Sequence, residues 1–347
     1  IESNENIPVE LLNKFSCTFG ENKDFIGYKK APAWPTNNSI IYQQPILKTK
    51  GNYYCFLPQI LFRNIINIIE NWIFNKDKKY FEQVYQKKRG ELLENKTMDY
   101  FKTMLPDSNL YQNLYYEIEE GGEKKRTETD GILLYDNNIF IIEAKASSLS
   151  LSTKRGGLKR MQKEVDEIIE KAYRQAKRTK EYILKHDNPT FRYENKDKAL
   201  NIKNKSKYKN VFLINTSLAY LGRLSAHLNS LKTFNFIQEK EWPWSVFIND
   251  LRVIFDLIEL PSELILYLKR RIKINEYQEF YSTDELDIFM YFLYEGLYFE
   301  EEALNEIDMF ALNTYTTDLD RYYNYVDGKV SSGEKPVLKI SEEYKKI

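Results

Sequence analysis

The run Ile139-Phe140-Ile141-Ile142 offers no polar position to water. It is too short for a helix, is rich in β-branched and aromatic residues, and is bounded by Asp136-Asn137-Asn138 and Glu143. It therefore reads as a strand apolar on both faces, which belongs in the middle of a sheet with both sides covered. Its surroundings agree. Leu110 to Glu120 alternates as a strand and turns at Gly121-Gly122, and Glu128 to Tyr135 is a second strand. The tight turn at Asp136-Asn137-Asn138 joins that strand to Asn138–Ala144 as a hairpin. A long helix is expected from about Leu158 to Lys185, with Met161, Val165, Ile168, Ile169, Ala172, Ala176, Thr179 and Ile183 in one stripe. Val211 to Asn215 reads as another buried strand.

The flanks differ in character. Residues 1–50 hold Pro8, Pro32, Pro35 and Pro45 with poor periodicity and read as an irregular arm with one short helix. Pro58 opens a helix, and another is expected from about Lys79 until Pro106 stops it, softened at Gly90. The stretch from Asp187 to Asn210 reads as polar and irregular. Beyond Ser217 the pattern is helical, over Leu218–Leu231, Trp244–Ile258, Pro261–Lys273 and Asp284–Phe299. The expected division is an N-terminal arm and helix at 1–78, an α/β core at 79–216 and a helical extension at 217–347.

Composition removes several chemistries. Two cysteines exclude a disulfide framework or a Cys-rich zinc site, and two histidines leave little room for His-based metal or triad chemistry. What remains must run on carboxylates, lysines and tyrosines. No stretch nears the ~18 apolar residues of a membrane span, and no signal pattern opens the chain. A cytoplasmic location is the expectation, and a start at Ile1 leaves a fragment open. The net charge of zero hides a division: Lys145 to Lys180 carries eleven Lys/Arg against four Asp/Glu, whereas Asp284 to Asp320 carries eleven acidic residues and no Lys or Arg. The basic middle suits phosphates.

Chemistry concentrates at the end of the apolar strand. Glu143 and Lys145 share a face by alternation, and the hairpin brings Asp130 beside them. Such groups at the end of a central apolar strand call for a partner or a metal. Two carboxylates suit Mg²⁺, with Mn²⁺ as substitute, and Lys145 can orient or deprotonate a water and offset charge on phosphorus. The basic, glycine-containing loop Lys154-Arg155-Gly156-Gly157-Leu158-Lys159-Arg160 opens the next helix, a suitable place for phosphate. Arg155, Lys159 and Arg160 are the expected substrate contacts.

Asp130, thirteen residues before Glu143, followed by Glu143-Ala144-Lys145, resembles the PD-(D/E)XK nuclease superfamily. Glu128-Thr129-Asp130-Gly131 and Phe140-Ile141-Ile142-Glu143-Ala144-Lys145 are similar to bacterial Mrr-like and NERD-like nucleases. The resemblance covers about residues 80–216. It implies an α/β, restriction-endonuclease-like three-layer fold with an α-β-β-β-α-β core, here with helical N- and C-terminal extensions. It further implies catalytic Asp130, Glu143 and Lys145, with Asp130, Glu143, Glu94 and Ala144 at the metal. Glu94 follows Gly90 by four, like the family's G-x-x-x-E, with Glu91 as the competing choice. Gln175 matches the glutamine that some branches carry on the helix after the strand, in preference to Gln162, although the tyrosine four residues on is replaced by Thr179. Glu128 is a second-layer candidate or an exposed strand residue. The implied activity is a Mg²⁺-dependent endonuclease acting on nucleic acid, DNA favoured over RNA, in bacterial defence or nucleic-acid processing. The alternatives are a catalytically inactive nuclease-fold module that binds nucleic acid or a protein, and an RNA-directed nuclease. A homo-oligomer or a further partner protein is compatible with either.

Overall fold

The structure is a computed structural model, and it describes residues 7–27, 37, 39–150, 153, 157–195, 197–234, 241–299, 309–312, 315–329 and 334–344. The chain divides into two compact units, 1–88 and 89–347.

The first unit holds more regular structure than an irregular arm. Helix α1 (Val9–Phe15) leads into β1 (Ser16–Cys17), which pairs in parallel with β2 (Ile46–Thr49), and β2 pairs antiparallel with β3 (Asn52–Tyr54). Strands of two to four residues are too short to show alternation, which is why the proline-rich text hides them. Helix α2 (Pro58–Lys76) starts at its proline as expected. Its Ile68 packs with Phe15 and Ile46, and Trp72 lies 4.7 Å from the Phe15 ring.

The second unit is a three-layer α/β domain. After α3 (Gln86–Met104) come β4 (Asn109–Glu120), β5 (Glu123–Tyr135) and β6 (Asn138–Lys145). Then follow α4 (Leu158–Val165), a π-turn over Asp166–Glu170, and α5 (Lys171–Lys185). Two short strands, β7 (Thr190–Arg192) and β8 (Lys198–Asn201), precede β9 (Asn210–Ser217) and β10 (Trp244–Phe247). The sheet order is β10-β9-β6-β5-β4-β7-β8, so β6 lies inside the sheet, as its doubly apolar run requires. β9 and β10 extend it in parallel on one side, and the β4–β5 hairpin is antiparallel on the other.

Each face of β6 meets a different core. Phe140 and Ile142 join Leu93, Met98 and Phe101 of α3 and the C-terminal helices, whereas Ile139 and Ile141 join Ile168, Ile169, Tyr173 and Ala176 beneath α4 and α5.

Three local expectations change. Asp187 to Asn210 contains β7, which pairs with β4, and β8, which forms the edge of the sheet. Leu218 to Leu231 is broken, because Gly222 at φ 52 starts only the short helix α6 (Arg223–Ala226), followed by 3-10 turns. Trp244 to Phe247 is a strand, and helix α7 begins only at Ile248 and runs to Leu257. Trp244 and Trp242 are core residues.

Helices α8 (Pro261–Lys273) and α9 (Glu285–Glu295) are joined to β10 by a buried polar cluster. Arg271 and Glu285, 1% and 2% exposed at their side chains, meet through Nε–Oε1 at 2.9 Å and Nη2–Oε2 at 2.7 Å. Trp244 Nε1 and Tyr267 OH each donate to Glu285 Oε1 at 2.6 Å. A buried charge pair is tolerated because most of its hydrogen-bonding capacity is met in this way, Arg271 Nη1 alone of its guanidinium nitrogens being buried without a hydrogen bond among the described residues. Arg270 donates to the Gly296 and Tyr344 carbonyls. Both arginines of the basic run at 268–271 are thus engaged in the fold.

Candidate active site

The site forms where the β5–β6 ladder ends. That ladder runs from Tyr135↔Asn138 to Gly131↔Ile142 and stops. On the other side of β5, Gln112 pairs with Gly131 and Leu114 with Thr129, and the intervening Asn113 takes the left-handed φ of 52°. Asparagine tolerates that conformation better than most residues. Directly opposed residues share a face, so the partners of Leu114 and Tyr116, Thr129 and Thr127, lie on the same face as Ile132 and Leu134. The two-residue period therefore slips by one at Asp130-Gly131. Simple alternation along β5 does not anticipate this.

The slip determines what Asp130 does. Beyond the last ladder pair, its Oδ2 accepts the Ala144 N–H at 2.8 Å, so a side chain bridges the strands where main-chain pairing has ended. Gly131 lets α3 come down beside it: a Cβ there would lie 2.2 Å from Met98 Cε and 2.7 Å from Met98 Sδ. One turn earlier on α3, Glu94 leans back along the helix, its Oε1 3.9 Å from where a Gly90 Cβ would be.

Lys145 holds the centre, with Nζ 3.7 Å from Asp130 Oδ2 and 3.5 Å from Glu143 Oε2. Glu143 is completely enclosed, whereas Lys145 and Asp130 keep side-chain exposures of 19% and 14%. The site thus opens to solvent at Lys145 and Asp130 and is closed behind Glu143. Thr129 Oγ1 donates to Glu143 Oε1 at 2.8 Å, while Glu143 Oε2 is buried without a hydrogen bond among the described residues. Asn215, the β9 residue paired with Glu143, donates Nδ2 to the Ile168 carbonyl at 3.0 Å and to Ser245 Oγ at 3.1 Å. Its Oδ1 is a second buried acceptor without a hydrogen bond among the described residues.

Negative charge exceeds positive here. Burial, and then the Asp130 carboxylate, push the Glu143 carboxyl well above its ordinary range, with Lys145 only partly offsetting them. Burial and then Asp130 likewise raise Glu94 to about 6. Among the described residues, no group of three or more His, Cys, Asp and Glu is arranged to hold a metal ion. Mg²⁺ needs less than that, since it keeps several waters and uses one or two carboxylates with substrate oxygens. Asp130 and Glu143, with a buried Glu143 oxygen that makes no hydrogen bond among the described residues, fit that requirement, and Glu94 stands outside the pair.

The other sequence candidates are placed unevenly. Gln175 is half-buried on α5, which packs against β6, and its side-chain amide makes no hydrogen bond among the described residues. Glu128 and Gln162 are exposed, and Glu91 is half-buried and adds to the charge around Glu94. Lys159 is exposed on α4. Arg160 donates to Glu164 at 2.6 Å, and Glu164 also accepts the Ser150 N–H at 3.0 Å, so Arg160 is engaged in tying α4 to Ser150. Arg155 lies outside the described residues. Thr129 and Asn215 are the site's polar neighbours that sequence reasoning missed. The available signal was a threonine directly before the aspartate and an asparagine ending an otherwise apolar strand.

Residues 88–203 match the family model of NERD, the nuclease-related domain. The stretch contains Glu94, Asp130, Glu143, Lys145 and Gln175, and the match is consistent with the PD-(D/E)XK-like nuclease superfamily. No curated protein matches the chain. Among solved structures, protein VC1899 from Vibrio cholerae aligns at 10% identity and a TM-score of 0.22, over 66% of this chain and 41% of that one. This chain therefore spans well under two thirds of that protein, and the similarity is too low to inform the fold. No helix among the described residues is long and apolar enough to cross a membrane.

Proposed function

We propose that the protein is a Mg²⁺-dependent nuclease that hydrolyses phosphodiester bonds, with DNA as the favoured substrate and internal cleavage as the favoured mode. The observation that carries this reading is the convergence of Asp130 and Glu143 on Lys145 at a strand end inside a nuclease-related domain. Asp130 and Glu143 would hold the cation, with Glu94 acting through water and Ala144 contributing from the main chain. When bound, the cation supplies Lewis-acid polarisation and a more acidic water.

The chain's own groups do the rest. Lys145 is the positive charge of the cluster and keeps some access to solvent, placed to offset negative charge that develops on phosphate oxygens and to hold or pass a proton of the attacking water. Asp130 fixes the Ala144 amide, which keeps the end of β6 in place beneath the substrate. Lys159 is the available basic contact at the start of α4, and Arg155 is proposed as a further substrate contact. Bacterial defence or nucleic-acid processing is the setting that the family resemblance suggests. The test is cleavage of DNA and RNA with and without divalent metal, alongside Lys145→Ala. A module that binds nucleic acid without cutting would show binding and no cleavage.

A further inference from the structure

We infer that Thr129 is a positioning residue for Glu143, orienting its buried carboxylate for the cation. The inference rests on the nuclease reading above. Consecutive residues of β5 grip consecutive residues of β6 at the point where their ladder has ended. The Thr129 hydroxyl donates to Glu143 Oε1 at 2.8 Å, and the Asp130 carboxylate accepts from the Ala144 amide at 2.8 Å. The slip of the β5 faces makes this double grip possible, because it turns Thr129 to the side of Glu143 while Asp130 fills the gap between the strands.

A glutamate carboxylate rotates about a soft terminal torsion and has no intrinsic preference for which oxygen faces a ligand. Here Glu143 is fully enclosed, so bulk water cannot compete for Oε1. Thr129 is itself 1% exposed, its main chain is held by pairing with Leu114, and its β-branched side chain is restricted at χ1. The hydroxyl is thus delivered from a rigid base. With Oε1 occupied, Oε2 is the oxygen left toward Lys145, 3.5 Å away and otherwise without a donor. Partners that orient a ligating carboxylate commonly matter about 10–100-fold for metal affinity or activity.

The experiment measures Mn²⁺ binding directly by electron paramagnetic resonance on the full chain, for wild type, Thr129→Val, Thr129→Ser and Glu143→Gln, with metal-dependent cleavage read in parallel. Thr129→Val keeps the shape and removes the donor, and is expected to weaken Mn²⁺ binding roughly tenfold. Thr129→Ser restores the donor and is expected to lie within about twofold of wild type, while nucleic-acid affinity without metal stays unchanged in both. Should Thr129→Val fail to fold, Thr129→Ala replaces it. The inference is overturned if the valine variant binds Mn²⁺ like wild type, or if serine is as defective as valine, which would show that restoring the hydroxyl does not restore binding. Loss of Mn²⁺ binding in Glu143→Gln with none in Thr129→Val would sink the role of Thr129 and leave the nuclease reading standing. Absence of Mn²⁺ binding by wild type would overturn both.

Discussion

Adding one methyl group at Gly131 tests whether the close approach of α3 to β5 builds the site. A Cβ at Gly131 would meet Met98 Cε at 2.2 Å and Sδ at 2.7 Å, against the roughly 3.5–4.0 Å of an unstrained carbon contact. Met98 is flexible, but it is 1% exposed within the core that includes Leu93, Phe101, Leu133 and Phe140, so its side chain cannot swing into solvent. Overpacking of this kind costs about 1–3 kcal/mol. The reduced freedom of the unfolded chain returns about 0.4–1 kcal/mol. Gly131→Ala is therefore expected to lose about 1–2 kcal/mol in a urea titration followed by near-ultraviolet circular dichroism. Met98→Ala alone should cost about 2–5 kcal/mol through its cavity. Because the new methyl occupies part of that cavity, the double variant should be more stable than the sum of the single losses by about 1 kcal/mol or more. Gly131→Ala as stable as wild type, or additivity with Met98→Ala, would refute the claim that this glycine sets the helix–strand distance.

Lys145→Ala should leave nucleic-acid affinity nearly intact and lower cleavage by about 10²–10⁴, whereas Asp130→Asn should be at least as severe and partly rescued by raised Mg²⁺. Equal rescue of both in a metal titration would contradict their separate roles. Asp250 is buried, and burial, followed by Asp284 and Glu285, pushes its carboxyl up to about 8. Its folded pKa lies above its unfolded one, so between about pH 4 and 8 the folded state holds a proton that the unfolded state has lost, and stability falls by up to about 1.4 kcal/mol per pH unit from this group. Asp250→Asn should flatten that slope in chemical denaturation at pH 5, 6 and 7, and an unchanged slope would show that Asp250 ionises normally. Glu285→Gln leaves the Arg271 charge buried without its counter-ion and is expected to cost about 3–5 kcal/mol in the same assay. A loss below about 1 kcal/mol would mean that the pair is far better hydrated than its burial implies.

The sheet and its helices were largely legible because their signals are local. The doubly apolar 139–142 run lies inside the sheet, the glycine pair turns the β4–β5 hairpin, and the stripe from Met161 to Ile183 covers one face. What escaped depended on non-local pairing. Residues 244–247 join β9 only through their parallel register with 214–217, and nothing in four apolar and small residues before a helix distinguishes a strand from a first helical turn. The same holds at the site. Spacing placed Asp130, Glu143 and Lys145 together, and Lys145 lies within 3.7 Å of both carboxylates. Alternation did not reveal that the β5 faces slip at Asp130-Gly131, because the slip is shared with Asn113 on the neighbouring strand. The bond from Thr129 to Glu143 was hidden for the same reason. Arg160 read as a free phosphate contact because its partner, Glu164, is one helical turn away on the same strongly charged helix.

The central claim is that Asp130, Glu143 and Lys145 form a metal-dependent phosphodiesterase centre. Purified protein incubated with supercoiled, linear and single-stranded DNA, and with RNA, in Mg²⁺, Mn²⁺ or EDTA tests it most directly, with Glu143→Gln as the control. The account predicts cleavage with either metal, most readily nicking or linearisation of supercoiled DNA, abolished by EDTA and by the glutamine substitution. No metal-dependent cleavage of any of these substrates, or cleavage by Glu143→Gln at the wild-type rate, would contradict it.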